Sequence, residues 1–256
     1  MAVVLDSVPL VILRMWRSGC DMADRWTWAA FAKPWRFWSQ RVGTVEIVTE
    51  SNFTAGAEPS PRVLRAYIDE SYRGMGDGHG VYLFAATLLW SDAEEDVRET
   101  LRRALPGRMH RFHWRNDRRT VRQQAVTTVL GLGVPHIVVF QVEIDRRRQE
   151  RARQHAQWQL TIDLVSRGVS ELVYEARERK QDEKDQRTIM AIRKAEVVPP
   201  TTGFRFARPL DEPLLWIPDI VLGMVGSAKA QPTEAHWFAE ALAELDIIEV
   251  PLGDPP

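Results

Sequence analysis

One cysteine, Cys20, stands in 256 residues. It has no partner for a disulfide within the chain, and it excludes a zinc site built from several cysteines, so any metal here rests on oxygen or histidine. A reducing compartment, the cytoplasm, is the expectation. Long apolar runs are missing too: none reaches the roughly 18 residues of a membrane span. The first apolar stretch, Val8 to Leu13, follows Asp6 without the basic segment of a secretory leader. Neither sign of charge dominates, with Lys and Arg totalling 34 and Asp and Glu 35, so nothing draws the whole molecule to nucleic acid. Three motifs are also absent. Gly74, Gly76, Gly78 and Gly80 are followed by neither Lys-Ser nor Lys-Thr, so they form no phosphate loop. No Gly-x-Ser-x-Gly elbow and no His-Glu-x-x-His helix occurs, which removes serine hydrolases and zinc proteases of those types.

What is present is uneven. Lys and Arg outnumber Asp and Glu by 24 to 20 over residues 63–204, but fall to 3 against 9 over residues 205–256. Arg108, Arg111, Arg115, Arg118, Arg119 and Arg122 face only Asp117, and Arg146, Arg147, Arg148, Arg151 and Arg153 form a second cluster. The planar guanidinium fork suits phosphate. Trp16, Trp26, Trp28, Trp35 and Trp38 crowd the first sixty residues without a helical or strand period. The small-residue and proline stretch from Ala55 to Pro61 then reads as a linker or boundary. Residues 1–61 read as an N-terminal extension, either a helical one or an unstructured or misassigned start. Residues 62–232 read as the main domain, and residues 233–256 as a C-terminal helix and tail.

Within the main domain the apolar run Val63 to Ile68 predicts a strand stopped by two acids, and Val81 to Trp90 predicts its hairpin partner. Helical spacing covers Asp92 to Leu105, with Ser91 as candidate N-cap, and Asp117 to Leu130. The apolar run from His136 to Ile144 is that of a strand covered on both faces. A helix over Arg147 to Ser166, a strand over Glu171 to Glu175 and a helix over Asp182 to Ala195 follow. An edge strand Gly203 to Ala207, an apolar helix Leu214 to Ala230 and a final helix Thr233 to Leu245 complete an α/β alternation.

Carboxylates mark several strand ends. Asp69 and Glu70 directly after an apolar strand are desolvated unless a cation or hydrogen-bond donors meet them. A hard divalent ion bound to carboxylate oxygen is one remedy, and a turn carboxylate accepting backbone bonds is the plainer one. Glu175 and Asp145 close later strands, although Asp145 abuts arginines and also reads as a helix cap. Asp219 follows Pro218 in a first helical turn, where the helix dipole alone favours it. It shares one helical face with Gly223, Gly226 and Ala230, small residues that let the helix approach a sheet closely and aim the acid at it. His113 reads equally as a proton-transfer group, a phosphate contact, a metal ligand or a half-buried structural ring.

Tyr67-Ile68-Asp69-Glu70-Ser71 resembles the opening motif of the bacterial domain of unknown function numbered 3800, and two later blocks agree. Phe112-His113-Trp114 matches a short histidine motif, and Leu215 to Gly223 resembles the family's C-terminal helix with its proline-aspartate pair. Glu175 departs from an expected aspartate, and the lead-in to Asp219 lacks a common glutamine-leucine-alanine. The resemblance implies a ribonuclease H-like mixed sheet flanked by helices, with Asp69 on the central strand and Glu70, Glu175 and Asp219 nearby. It also implies metal-assisted phosphodiester cleavage of DNA or RNA, linked to mobile elements or phage defence.

The expectation is therefore a cytoplasmic, Mg²⁺- or Mn²⁺-dependent nuclease. Asp69, Glu175 and Asp219 would hold the metal, Glu70 and His113 would orient water or substrate, and Arg111, Arg115, Arg118, Arg119 and Arg122 would bind nucleic acid. The rivals are a non-catalytic nucleic-acid- or protein-binding module on the same scaffold, and a structural partner in a toxin or defence complex.

Overall fold

The computed structural model describes residues 62–74, 78–105, 112–230 and 237–249, all within the compact unit Pro59–Pro256. The tryptophan-rich start, Arg108 and Arg111 lie outside the described residues.

Strands β1 (Leu64–Gly74) and β2 (His79–Trp90) form the expected hairpin, and β3 (His136–Asp145) pairs antiparallel with β2. Between β2 and β3 come helices α1 (Glu94–Ala104) and α2 (Arg119–Gly131). Helix α3 (Gln149–Ser166) leads to β4 (Glu171–Glu175), α4 (Arg179–Lys194) and β5 (Gly203–Ala207). The apolar helix α5 (Trp216–Ala230), a short α6 (Ala239–Ala243) and β6 (Asp246–Glu249) follow. The six strands lie in the order β5-β4-β1-β2-β3-β6, with β4 parallel to β1 and β5, and β6 parallel to β3.

Side chains alternate across the sheet, and the alternation sorts β1 into two surfaces. Tyr67 joins a core formed with Val97 and Leu101 of α1, Val126 and Val129 of α2, and Ile217, Ile220 and Val221 of α5. Ala66 and Ile68 join the opposite core, against Ala156, Leu160 and Leu164 of α3. Strand β3 is covered on both faces as its apolar run predicts: Val138 and Phe140 face the first core, Ile137 and Val139 the second. Each buried Val, Leu, Ile or Phe among them contributes roughly 1.5–3 kcal/mol. Among the described residues no helix is long and apolar enough to cross a membrane.

Three local expectations change. The two acids do not stop β1: its ladder to β2 continues from Asp69 opposite Ala85 to Gly74 opposite Gly80. Backbone pairing is indifferent to whether the side chain is apolar. On the other side β1 pairs with β4 only as far as Ile68 opposite Tyr174, so one flank of β1 lies open beyond Asp69. Ser91 is not a helix cap. Its hydroxyl accepts from Val63 N at 3.0 Å and fastens the start of β1, while Ala93 takes the cap position of α1. Among the described residues the final helix is α6, which stops at Ala243 short of Leu245, and the chain then adds β6 to the sheet edge at β3.

Candidate functional site

The open flank of β1 becomes a cleft of about 300 Å³, lined by Asp69, Glu70, Ser71, Tyr72, Arg73, His113, Trp114, Arg115, Glu175, Arg177, Asp219, Leu222 and Gly223. Register explains why the acids meet there. Tyr67 lies beside Val173 and Ile68 beside Tyr174, so one further step sets Asp69 next to Glu175. Both are two residues beyond members of the α5-side core, Tyr67 and Val173, and so point to that face. Helix α5 crosses the same face and delivers Asp219 from its first turn.

The electrostatics record this convergence. The Asp69 carboxyl is held well above the usual carboxylate range, first by burial, then by the charges of Glu175 and Asp219, with Glu70 adding least. One hydrogen bond opposes the rise: Glu70 N donates to Asp69 Oδ1 at 2.7 Å. Asp219 is held by the loop before α2, where Trp114 N donates to its Oδ2 at 3.2 Å and His113 Nδ1 stands 3.9 Å from the same oxygen. His113 N donates in turn to Asp117 Oδ2 at 3.1 Å.

Trp114 anchors this loop. Its indole fills the space left by Gly223 of α5, where a Cβ would stand 2.1 Å from Trp114 Cδ2. Its Nε1 donates to Ser227 Oγ at 3.1 Å, and its ring stacks on Trp237 with centroids 6.0 Å apart. The small-residue face of α5 thus does more than approach the sheet: it receives one tryptophan at Gly223 and one arginine, Arg73, at Gly226.

Glu70 departs from the expected grouping. Strand alternation turns it to the α3 side, where Arg177 pairs with it and also donates to Asp185 Oδ2 at 2.7 Å. Asp185 pairs with Arg153, which is 2% exposed and donates to Glu150 Oε1 at 2.8 Å. Burial raises the Glu70 carboxyl, and Arg177, Arg153 and the Tyr82 hydroxyl pull it back. Glu70 still lines the cleft, with its carboxylate engaged by Arg177. Arg153 likewise leaves the second arginine cluster as a buried structural cation. Asp145 caps the turn Arg146–Arg148 by accepting from Arg147 N at 2.8 Å.

Among the other predicted arginines, Arg115 lines the cleft and donates to Tyr72 O at 3.0 Å. Arg122 donates to Asp117 O at 2.9 Å, and its Cζ lies 5.5 Å from the Trp114 ring centroid. Arg119 lies 5.9 Å from the Trp237 ring, and Arg118 is exposed at the start of α2. The sequence reading missed Arg73 and Arg177. A period of two along β1 places Arg73 on the Asp69 face, provided the strand is extended past its acids.

Among the described residues no three His, Cys, Asp or Glu side chains close around a single point that would hold a metal. Asp69, Glu175 and Asp219 share the cleft, with Asp219 Oδ2 turned to the Trp114 N–H and His113. An all-oxygen donor set whose members repel one another is nevertheless what a hard divalent cation neutralises.

The mixed sheet flanked by helices, with Asp69 on an inner strand, agrees with the sheet that the resemblance implies. The fold is an α/β mixed sheet flanked by helices on both faces. Solved structures similar to it include "Structure of the PCNA:RNase HII complex from Archaeoglobus fulgidus", with 10% identity over 66% of this chain and 75% of that one, at a TM-score of 0.43. Another is the crystal structure of a mutant Bst-RNase HIII, with 12% identity over 78% of this chain and 64% of that one, at a TM-score of 0.42. No family model and no curated protein matches the sequence.

Proposed function

We propose that the protein is a Mg²⁺- or Mn²⁺-dependent nuclease in which Asp69, Glu175 and Asp219 hold the cation. One observation carries this reading: carboxylates from β1, β4 and α5 enter one cleft, and their mutual repulsion with burial lifts Asp69 out of the normal carboxylate range. The resemblance of Tyr67 to Ser71, Phe112 to Trp114 and Leu215 to Gly223 to the domain of unknown function 3800 points the same way. Divalent cations bound there would neutralise charge on a phosphodiester and acidify water.

The remaining roles fall to the chain's own groups. The Trp114 N–H fixes the Asp219 carboxylate, and the indole seated on Gly223 holds that N–H in place. His113, half-exposed beside Asp219, is positioned to exchange a proton with groups in the cleft. Arg115 at the rim offers a guanidinium fork to a phosphate, with Arg118, Arg119 and Arg122 extending the basic margin. Glu70, through Arg177, ties β1 to the segment after β4 and so holds the strands that carry Asp69 and Glu175.

A second reading, a nucleic-acid- or protein-binding module without catalysis, is favoured by the open arrangement of the three acids. A cleavage assay separates the two. Labelled single- and double-stranded DNA and RNA incubated with Mg²⁺ or Mn²⁺ should be cut by the parent protein and spared by Asp69→Ala. Equal products from both, or none from either, rejects the nuclease assignment.

A further inference from the structure

We propose that Arg73 and Arg115 form a seat for one phosphate group of a nucleic-acid strand, on the cleft wall beside the Asp69 face. The ligand class rests on the phosphodiester reading above, while the seat itself requires no metal.

Arg73 lies four residues after Asp69 on β1, so its side chain leaves the same face of the sheet. It runs against α5 at Gly226, where a Cβ would stand 2.3 Å from its Nε and 3.1 Å from its Cζ. A Cβ there would push the Arg73 side chain aside. The Nε is buried without a hydrogen-bond partner, and Arg73 has no ion pair among the described residues. A guanidinium nitrogen kept from water without an acceptor is costly, and the rest of the fork stays open to an anion from the cleft.

Its neighbours sharpen the point. Arg115 lines the same cleft and is held by the neutral Tyr72 carbonyl, and Arg122 is held by the Asp117 carbonyl, so neither cation is cancelled by those bonds. Burial first, then the charges of Arg115 and Arg122, hold Arg73 below its ordinary value, against the pull of Asp219. Cations brought this close beside an acidic cleft match the alternation of a strand whose phosphate is bound on one side and approached by the acids on the other. The planar fork that can receive two phosphate oxygens is the recognition element.

The test is run on the full chain in EDTA, so that it stands or falls apart from the metal. Fluorescence polarisation follows short labelled single-stranded DNA and RNA lacking a terminal phosphate, and thermal unfolding follows thymidine monophosphate against thymidine. Arg73→Gln should weaken oligonucleotide binding about tenfold and reduce the log-log salt slope by about one. Gly226→Ala keeps every charge but crowds the guanidinium, and should weaken binding comparably. Arg179→Gln, an exposed change on α4 where Arg179 pairs with Glu183, should leave binding unchanged. Dependence on Arg73 with the oligonucleotides assigns the seat to an internal phosphodiester. Dependence seen only with thymidine monophosphate assigns it to a terminal phosphate, and both support the seat. If folded Arg73→Gln and Gly226→Ala proteins bind both probes as the parent does, no such seat exists.

Discussion

Asp69 and Glu70 are adjacent in sequence and opposite in circumstance. Glu70 faces α3 and enters a ladder of alternating charge, Glu70 to Arg177 to Asp185 to Arg153 to Glu150, in which each carboxylate has an internal cation. Asp69 faces α5 and meets two more acids instead. The cations on its side, Arg73 and Arg115, have no ion pair among the described residues, although Asp219 acts on Arg73 through space. One face of the strand carries a ladder of paired charges. The other brings three acids together around a raised Asp69, and perturbed charges of that kind gather at functional sites.

The largest expected effect breaks the open face. Removing a carboxylate that serves a metal costs several kcal/mol of charge stabilisation, so Asp69→Ala should lower cleavage by about a thousandfold in a timed nuclease assay. The closed face should respond in stability instead. Asp185→Ala leaves Arg153 buried and short of its partner, and should lower the unfolding free energy by about 3 kcal/mol in urea melts. Gly223→Ala forces a Cβ into the Trp114 indole and should cost about 2 kcal/mol, with the loop that holds Asp219 displaced and activity falling in parallel.

The smallest effect is in pH. The folded-state pKa of Asp69 is raised above its unfolded value, so the folded protein binds more protons than the unfolded chain between the two values, and stability falls as pH rises through that window. Asp69→Asn removes the repulsion. Its metal-free thermal midpoint should exceed that of the parent at neutral pH and converge with it as the pH drops toward the ordinary aspartate range.

Much of this contrast was legible in the sequence, for physical reasons that differ by element. Strand β3 announces itself because both its faces are buried and its apolar run is nearly continuous. Asp69, Glu175 and Asp219 stand out because carboxylates directly after apolar segments need partners. The split between Asp69 and Glu70 is less apparent, since it depends on β1 continuing past its acids, and the polar stretch Ser71 to Gly74 hides that continuation. Arg73 was missed for the same reason. Strand β6 is hidden differently: Ile247 and Ile248 are flanked by acids, and four residues become a strand only because β3 offers an edge. Trp114 on Gly223 joins residues over a hundred positions apart, which no local period reveals.

The most direct test of the account is the binding of Mn²⁺ itself, followed by the thermal midpoint of the parent, Asp69→Asn and Glu70→Gln proteins. Binding to the folded state at a hundred times the dissociation constant stabilises it by about 2.7 kcal/mol. The parent midpoint should therefore rise with Mn²⁺, Glu70→Gln should rise similarly from a lower starting point, and Asp69→Asn should not respond. A parent midpoint indifferent to Mn²⁺, or an Asp69→Asn protein that responds as the parent does, would contradict the division between the two faces on which the account rests.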